Sequence, residues 1–353
     1  MKAVVDRLRA DHILTVDEYQ SLLCADQETE RYLFQSAREV AKDVFGNRIL
    51  IRGLLEISNC CRNDCLYCGI RKSNAHLCRY SLTKEEILDC CWKGYQLGFR
   101  TFVLQGGEPT DDRDQWVGDV VSALRYDFPG CAITLSLGEK SATTYAYWKQ
   151  CGANRYLLRH ETHNERHYRQ LHPQEMSLRH RLQCLRSLKD LGYQTGTGMM
   201  VGSPYQTLPE LVEDIQYIQH LRPEMIGIGP FIPAHHTPFA DWHAGSVELT
   251  ARLYAIFRLM FPHALIPSTT AMASLSPEGR KIGILAGANV IMPNLSPITV
   301  RDVYSLYDRK ENTGIEAAEG LPLLERELAT IGYEIDYGRG DYGFQCINRD
   351  IDK

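Results

Sequence analysis

The chain contains no stretch of about 18 consecutive apolar residues, which excludes a membrane-spanning helix of ordinary length. It also lacks an excess of positive charge. Its 39 Lys and Arg against 44 Asp and Glu leave a net charge of −5, the wrong sign for a nucleic-acid surface. The N-terminus, Met1-Lys2-Ala3-Val4-Val5-Asp6-Arg7, is broken by charge too early to act as a secretion signal. No internal repeat or low-complexity tract stands out. With no such signal, the 12 cysteines point to free thiols in a reducing cytosol, hence a cytoplasmic protein, and not to a disulfide framework. The 353 residues, 44% of them apolar, suffice for one large α/β barrel or two ordinary domains.

Thiols are, by contrast, concentrated in one short loop. Cys61, Cys65 and Cys68 form a C-x3-C-x2-C run directly after Ile49–Ile57, an apolar segment of strand character. Three thiolates this close can hold three irons of a [4Fe–4S] cluster and leave the fourth open to a substrate or cofactor. Tyr67, beside the last cysteine, is an aromatic able to pack over the cluster and keep water away. The competing readings are a zinc site or buried thiols. Zinc sites, however, usually show paired C-x2-C units or a Cys/His mixture with a fourth ligand nearby. Cys60 offers an alternative C-x4-C spacing; Cys61 is preferred, with Cys60 facing away. The spacing is similar to the signature of the radical S-adenosylmethionine (SAM) superfamily, in which the open iron chelates SAM and an electron from the cluster cleaves it.

Residues 1–48 read as a helical extension, with Asp17 as a candidate cap. Eight strand candidates follow: Ile49–Ile57, Thr101–Gln105, Ala132–Leu137, Arg155–Arg159, Gln194–Val201, Met225–Gly229, Leu265–Thr269 and Ala288–Met292. Amphipathic stretches lie between them, among them Thr83–Leu97, which opens with a Thr83/Glu86 capping box, and Ser177–Leu191. This alternation predicts an α/β fold, a complete (β/α)8 barrel over residues 49–310, in preference to a doubly wound open sheet. Residues 311–353 are expected to form a C-terminal helix and tail that packs on the barrel or is loosely ordered.

Chemistry in such barrels sits where strands end. The second strand ends in Gly106-Gly107-Glu108-Pro109, glycines that let backbone approach a ligand closely. The third ends near Ser136. The fourth ends in Arg159-His160-Glu161-Thr162, which is either a solvated loop or a carboxylate clamp (Arg159) beside an acceptor for SAM (Glu161). On the next helix, Arg179 or Arg181 is the candidate partner of the SAM carboxylate, with Arg181 favoured. Met199 and Ile228 fall in glycine-rich segments suited to adenosine. Arg52, Arg159, Thr269, Thr270 and Tyr304 are expected to line an anion-friendly cavity below SAM. The alternative is that Arg52 and Arg159 pair with Glu56 or Glu161 and only stabilise the barrel.

Ile57-Ser58-Asn59 with the cysteine loop, Tyr156–Thr162, Gly227–Pro233, Pro267–Met272 and Ala288–Asn294 together resemble the HydE family, radical SAM maturases of [FeFe]-hydrogenase. The resemblance runs from about Arg52 to Tyr307. It implies a cluster held by Cys61, Cys65 and Cys68. It also implies SAM contacted by Tyr67, Gly106, Gly107, Glu108, Ser136, Glu161, Arg181, Met199 and Ile228. The implied substrate is an iron–cysteine precursor carrying CO and cyanide, on the way to the H-cluster, with a reducing electron donor and possible contact with other maturases. Some family members bind a second cluster through three C-terminal cysteines. Asp308–Leu323 contains no cysteine, so no second cluster is expected. The alternatives are a mutase resembling methylornithine synthase, sulfur insertion resembling biotin synthase, or a cluster carrier. The mutase reading lacks a matching polar pocket, the biotin synthase reading lacks inner-strand cysteines, and a carrier needs no adenosine site.

Overall fold

The computed structural model describes residues 1–308, 310 and 314–343. Three helices come first: α1 (Lys2–Asp11), α2 (Val16–Leu23) and α3 (Gln27–Phe45). The cap of α2 is Thr15, in a reciprocal capping box with Glu18, so Asp17 lies inside the first turn and is not the cap. Asp26 caps α3. Val5, Leu8, Leu33 and Ala37 are buried in one apolar cluster with Leu253 and Phe257 of a later helix, which fixes the N-terminal helices against the barrel wall.

The strands are β1 (Arg48–Ile51), β2 (Gly53–Ser58), β3 (Thr101–Gly106), β4 (Ala132–Ser136), β5 (Arg155–Leu157), β6 (Gln194–Thr197), β7 (Met200–Val201), β8 (Met225–Ile226), β9 (Gly229–Pro230), β10 (Val290–Ile291) and β11 (Glu334–Asp336). Six of them form one parallel sheet in the order β2-β3-β4-β5-β6-β8. The ring is completed by single parallel bridges, Met225 to Leu265 and Pro267 to Val290, and by β10 pairing with β1. The expected strand at Leu265–Thr269 is therefore reduced to two bridges. Pro267 has no N–H to donate to a ladder, and Thr270 already begins a helix. Otherwise the eightfold alternation predicts the architecture well.

Around the ring lie α4 (Lys84–Gln96), α5 (Asp114–Asp127), α6 (Ala142–Gln150), α7 (Glu165–Leu171), α8 (Leu178–Asp190), α9 (Leu208–Leu221), α10 (Val247–Met260), α11 (Thr270–Leu275), α12 (Gly279–Leu285), α13 (Ile298–Arg301) and α14 (Leu321–Thr330). The short helices α7, α11, α12 and α13 are absent from the sequence reading because four to seven residues are too few to show a period. Among the described residues no helix is long and apolar enough to cross a membrane.

The C-terminal stretch is more than a cover. β11 pairs in parallel with the outer edge of β1. Beyond it, the carbonyls of Arg339 and Gly340 and the Asp341 carboxylate all accept from the buried Arg155 guanidinium, at 2.9, 3.0 and 2.8 Å. These residues seal the N-terminal mouth of the barrel. The rest of the expected tail, with Cys346, lies outside the described residues.

Candidate active site

The loop from Asn59 to Leu82 leaves β2 at the C-terminal mouth and is held by its own polar groups. The Arg79 guanidinium donates to the carbonyls of Asn59 and Ile70, at 2.6 and 2.8 Å, and to those of Arg71, Lys72 and Asn74. Asp64 accepts from the Nε and one terminal nitrogen of Arg71, at 2.8 and 2.6 Å, and from the backbone N–H and hydroxyl of Ser73. The Arg71 charge and these hydrogen bonds hold its carboxyl well below the usual carboxylate range. Buried Asn59 ties the loop to Cys78 and to Val303 through its amide nitrogen, 2.8 Å from each carbonyl. A surface loop with this many fixed carbonyls presents its cysteines from a rigid frame.

Within that frame Cys61, Cys65 and Cys68 are partly buried and lie close enough to repel one another as thiolates. Burial pushes all three thiols up, Cys68 to about 12, and for Cys65 and Cys68 the neighbouring sulfur adds to the effect. Cys60 is exposed and turns toward the Tyr80 carbonyl and Ser81. Tyr67 places its ring edge-on to His172, 5.4 Å between centroids, and packs with Leu171, Met200, Phe231 and Phe239.

Gly107, directly after β3, is required by this loop. A Cβ on Gly107 would stand 2.3 Å from the Cys60 carbonyl oxygen and 2.7 Å from the Cys61 Cβ. Glu108 has both carboxylate oxygens engaged within the protein, one by Arg62 at 2.7 Å and one by the Glu139 backbone N–H at 2.7 Å. Its backbone N–H points at the Cys61 sulfur, 3.4 Å away. Glu108 thus locks the cysteine loop to the end of β4, where Ser136 sits half-buried opposite Gln105.

Arg181 is buried at the start of α8, whereas Arg179 is exposed. Its Nε donates to Glu139 at 2.5 Å and one terminal nitrogen to the Arg159 carbonyl at 3.0 Å. Burial opposes the charge, but Glu139 beside it more than compensates and raises its pKa. Arg159 and Glu161 approach within 2.9 Å, yet the Arg159 Nη2 and Glu161 Oε2 atoms make no aligned hydrogen bond and keep donor and acceptor capacity. Glu161 has a positive φ of 67° and bridges to Met199, which fixes where its carboxylate emerges.

His160, between them, lies beyond the end of β5 and turns toward Thr197 and Asp214. It is fully buried, 2.9 Å from Thr197 and 3.4 Å from Asp214. Burial pushes Asp214 up to about 8 and His160 down to about 3. Between pH 6.5 and 8 the unfolded-state histidine loses only its last half charge, about 0.4 kcal/mol of opposite sign, so Asp214 dominates the pair. Its folded-state pKa is raised, so the folded chain binds its proton more tightly and stability falls as pH rises toward 8. Asp214→Asn is expected to remove a decline of about 1–2 kcal/mol between pH 6.5 and 8. Anaerobic urea midpoints at the two pH values measure it, and an equally steep decline in the substituted protein would refute the assignment.

The remaining candidates divide into two groups. Met199 and Ile228 pack their side chains outward with Leu211, Val212 and Ile256, and the Ile228 carbonyl accepts from Tyr254 at 3.0 Å. At these two positions it is therefore the backbone, and not the side chain, that faces the inside of the barrel. Met200, one residue on, clusters with Leu66 and Tyr67. Arg52, the break between β1 and β2, contacts Met225 sulfur at 3.2 Å and has two buried nitrogens without a partner. Burial, with Arg155 close by, lowers its pKa strongly. It therefore belongs with Arg155 at the N-terminal mouth, four residues below Glu56 and roughly 13 Å along the strand from it. Arg159, Thr269, Thr270 and Tyr304 lie at the other end. Thr269 is 3.3 Å from the Tyr254 hydroxyl, Thr270 donates to Glu316 at 2.9 Å, and Tyr304 accepts from Gln105 at 3.3 Å. Arg52 thus stands at the opposite end of the barrel from these four. The sequence reading also lacks the polar wall beside Tyr304, where Glu56 pairs with Lys310 and accepts from Asn294. Glu56 thus pairs with neither Arg52 nor Arg159.

A sequence model of the radical SAM superfamily matches residues 55–218, the span from the cysteine loop to α9. The [FeFe] hydrogenase maturase subunit HydE of Thermotoga maritima is 43% identical over 82% of this chain and 83% of its own length. The chain belongs to the HydE family. In the HydE fold's wider neighbourhood, the crystal structure of methylornithine synthase (PylB) superposes with a TM-score of 0.83 at 25% identity, covering 94% of this chain and 97% of that one. The maturase HydG of Carboxydothermus hydrogenoformans has a TM-score of 0.78 at 20% identity, covering 95% of this chain and 79% of that one, a likeness of fold. This HydE-family chain is therefore a radical SAM enzyme, and the superfamily implies a [4Fe–4S] cluster and SAM as its cofactors. Its donor set suits the cluster: three thiols that resist ionisation by themselves become thiolates when cationic iron replaces their protons.

Proposed function

We propose that this protein acts in [FeFe]-hydrogenase maturation, using SAM-derived radical chemistry on an iron–cysteine precursor. The observation that carries this is the convergence of Cys65, Arg181, Tyr67 and Glu161 at one rim, where their charges act on one another, in a chain closely similar to a HydE protein. Cys61, Cys65 and Cys68 hold the cluster. When bound, the cluster and SAM supply reductive cleavage of the sulfonium. The chain's own residues position and enclose. Arg181, with a nitrogen to spare beyond Glu139 and the Arg159 carbonyl, holds the SAM carboxylate. Glu161 accepts from SAM, and Tyr67 covers the cluster. Gly106, Gly107, Glu108 and Ser136 shape the amino-group side by backbone approach. Asp308–Leu323 has no cysteine, which supports one cluster per chain.

For the substrate, Arg159 offers a guanidinium at the rim whose Nε has no partner and whose Nη2 has only the Glu161 carboxylate beside it. Thr269 and Tyr304 add hydroxyls, and the Glu56–Lys310 pair makes the adjoining wall polar. An anionic, sulfur-containing ligand suits this set. The test is anaerobic incubation with SAM, reductant and the iron–cysteine precursor, followed by mass analysis for an adenosyl–sulfur adduct. Adduct formation is expected to fall about tenfold or more in Arg159→Lys, because one point charge replaces a planar fork. If Arg159→Lys and Thr269→Val proteins fold normally and react like the wild type, the substrate site lies elsewhere.

A further inference from the structure

A second group of metal-ligand side chains converges on the outer side of Arg181. Glu139 follows β4, while His180 and Cys184 stand four residues apart on α8 and so share one face of the helix. His180 Nε2 lies 3.5 Å from a Glu139 oxygen and 3.7 Å from the Cys184 sulfur. The three donor atoms all fall within 4.8 Å of one another. Ligand atoms around one tetrahedral zinc at 2.0–2.3 Å are about 3.3–3.8 Å apart, so little movement would close the set. Nothing in the radical SAM reading uses His180 or Cys184.

We propose that Glu139, His180 and Cys184 bind one zinc-type divalent ion. The donor set of one thiolate, one imidazole and one carboxylate is that of a borderline-soft metal and not of magnesium or calcium, which prefer all-oxygen shells. The thiolate and the carboxylate offset two of the three positive charges of the ion and Arg181 together. Binding releases the Cys184 thiol proton to solvent, and the ion takes its place. The bond this replaces is weak, a thiol contact to the Lys140 carbonyl at 3.6 Å. Glu139 and Cys184 are buried but His180 is exposed, which leaves an entry path and a fourth position for water. The Glu139 oxygen nearer Arg181 stays with Arg181, so the guanidinium becomes the outer-shell partner that orients the ligand carboxylate.

The experiment uses the iron-loaded full chain. It is incubated anaerobically with one equivalent of zinc and desalted, then analysed for metal content and by zinc-edge X-ray absorption. The expected result is one retained zinc per chain with unchanged iron, and a shell of one sulfur near ~2.3 Å with nitrogen and oxygen near ~2.0 Å. His180→Ala and Cys184→Ser are expected to keep their iron and to bind zinc more weakly by more than the roughly 10–100-fold that loss of an outer-shell partner costs. Three outcomes overturn the site: no zinc retained by the wild type, two or more sulfurs in its shell, which would place it on the cysteine loop, or undiminished binding by His180→Ala.

Discussion

A Cys65→Ser protein, reconstituted anaerobically with iron and sulfide, is expected to lose SAM cleavage completely. The backbone role of residue 65, its carbonyl accepting from the Cys68 N–H at 3.2 Å, survives the substitution. The frame made by Arg79 and Asp64 does not involve the Cys65 side chain. What disappears is one of three sulfur donors, and a hydroxyl is a poor ligand for iron–sulfur chemistry. Cys61→Ser and Cys68→Ser should behave alike. Cys60→Ser is the internal control, since that thiol is turned toward Tyr80 and Ser81; it should keep about four irons per chain. SAM cleavage at the wild-type rate by the Cys65→Ser protein would end the cluster assignment. Loss of iron with Cys60→Ser but not Cys61→Ser would move the ligand set by one residue.

Arg181→Ala should weaken SAM binding roughly 30-fold or more, since an anionic group left without its buried partner costs about 2–5 kcal/mol. Arg179 is exposed on the same helix, and Arg179→Ala should leave the affinity unchanged. The substitution also strands the buried Glu139 carboxylate, which is destabilising in itself. The double variant Arg181→Ala/Glu139→Gln removes that complication. Equilibrium binding of SAM to the folded, iron-loaded double variant then separates a lost ligand contact from a damaged fold. Wild-type affinity there would show that the SAM carboxylate is held by another group.

The barrel was legible in the sequence because its apolar strands and amphipathic helices alternate with periods that differ, about two and 3.6 residues. Where the reading faltered, a local effect was stronger than the period. Pro267 thinned one strand to bridges, and helices of four to seven residues gave no pattern to read. Candidate residues near the cysteines were legible because thiol spacing is a local property. Side-chain direction was harder. Met199 and Met200 differ by one position, and only the pairing of residue 199 with Glu161 decides which faces outward. Arg52 was grouped with Arg159 on charge, but height along a strand is set by register with neighbours hundreds of residues away. The Glu56–Lys310 pair and the Glu139–His180–Cys184 group are of the same kind. Each joins segments that no motif links.

The floor made by residues 339–341 has a bearing on how the molecule comes into being. Arg155 and Asp341 are 186 positions apart, and β1 waits for an edge partner that begins at Glu334. Contacts of such separation form late, after the entropy of closing a long loop has been met. During synthesis the cysteine loop precedes this floor by more than 250 residues, so the far end of the cylinder stays open until residues 334–341 have left the ribosome. The order of assembly thus follows the order of the sequence signals: the cysteine loop at one mouth is made first, and the floor that closes the opposite mouth last.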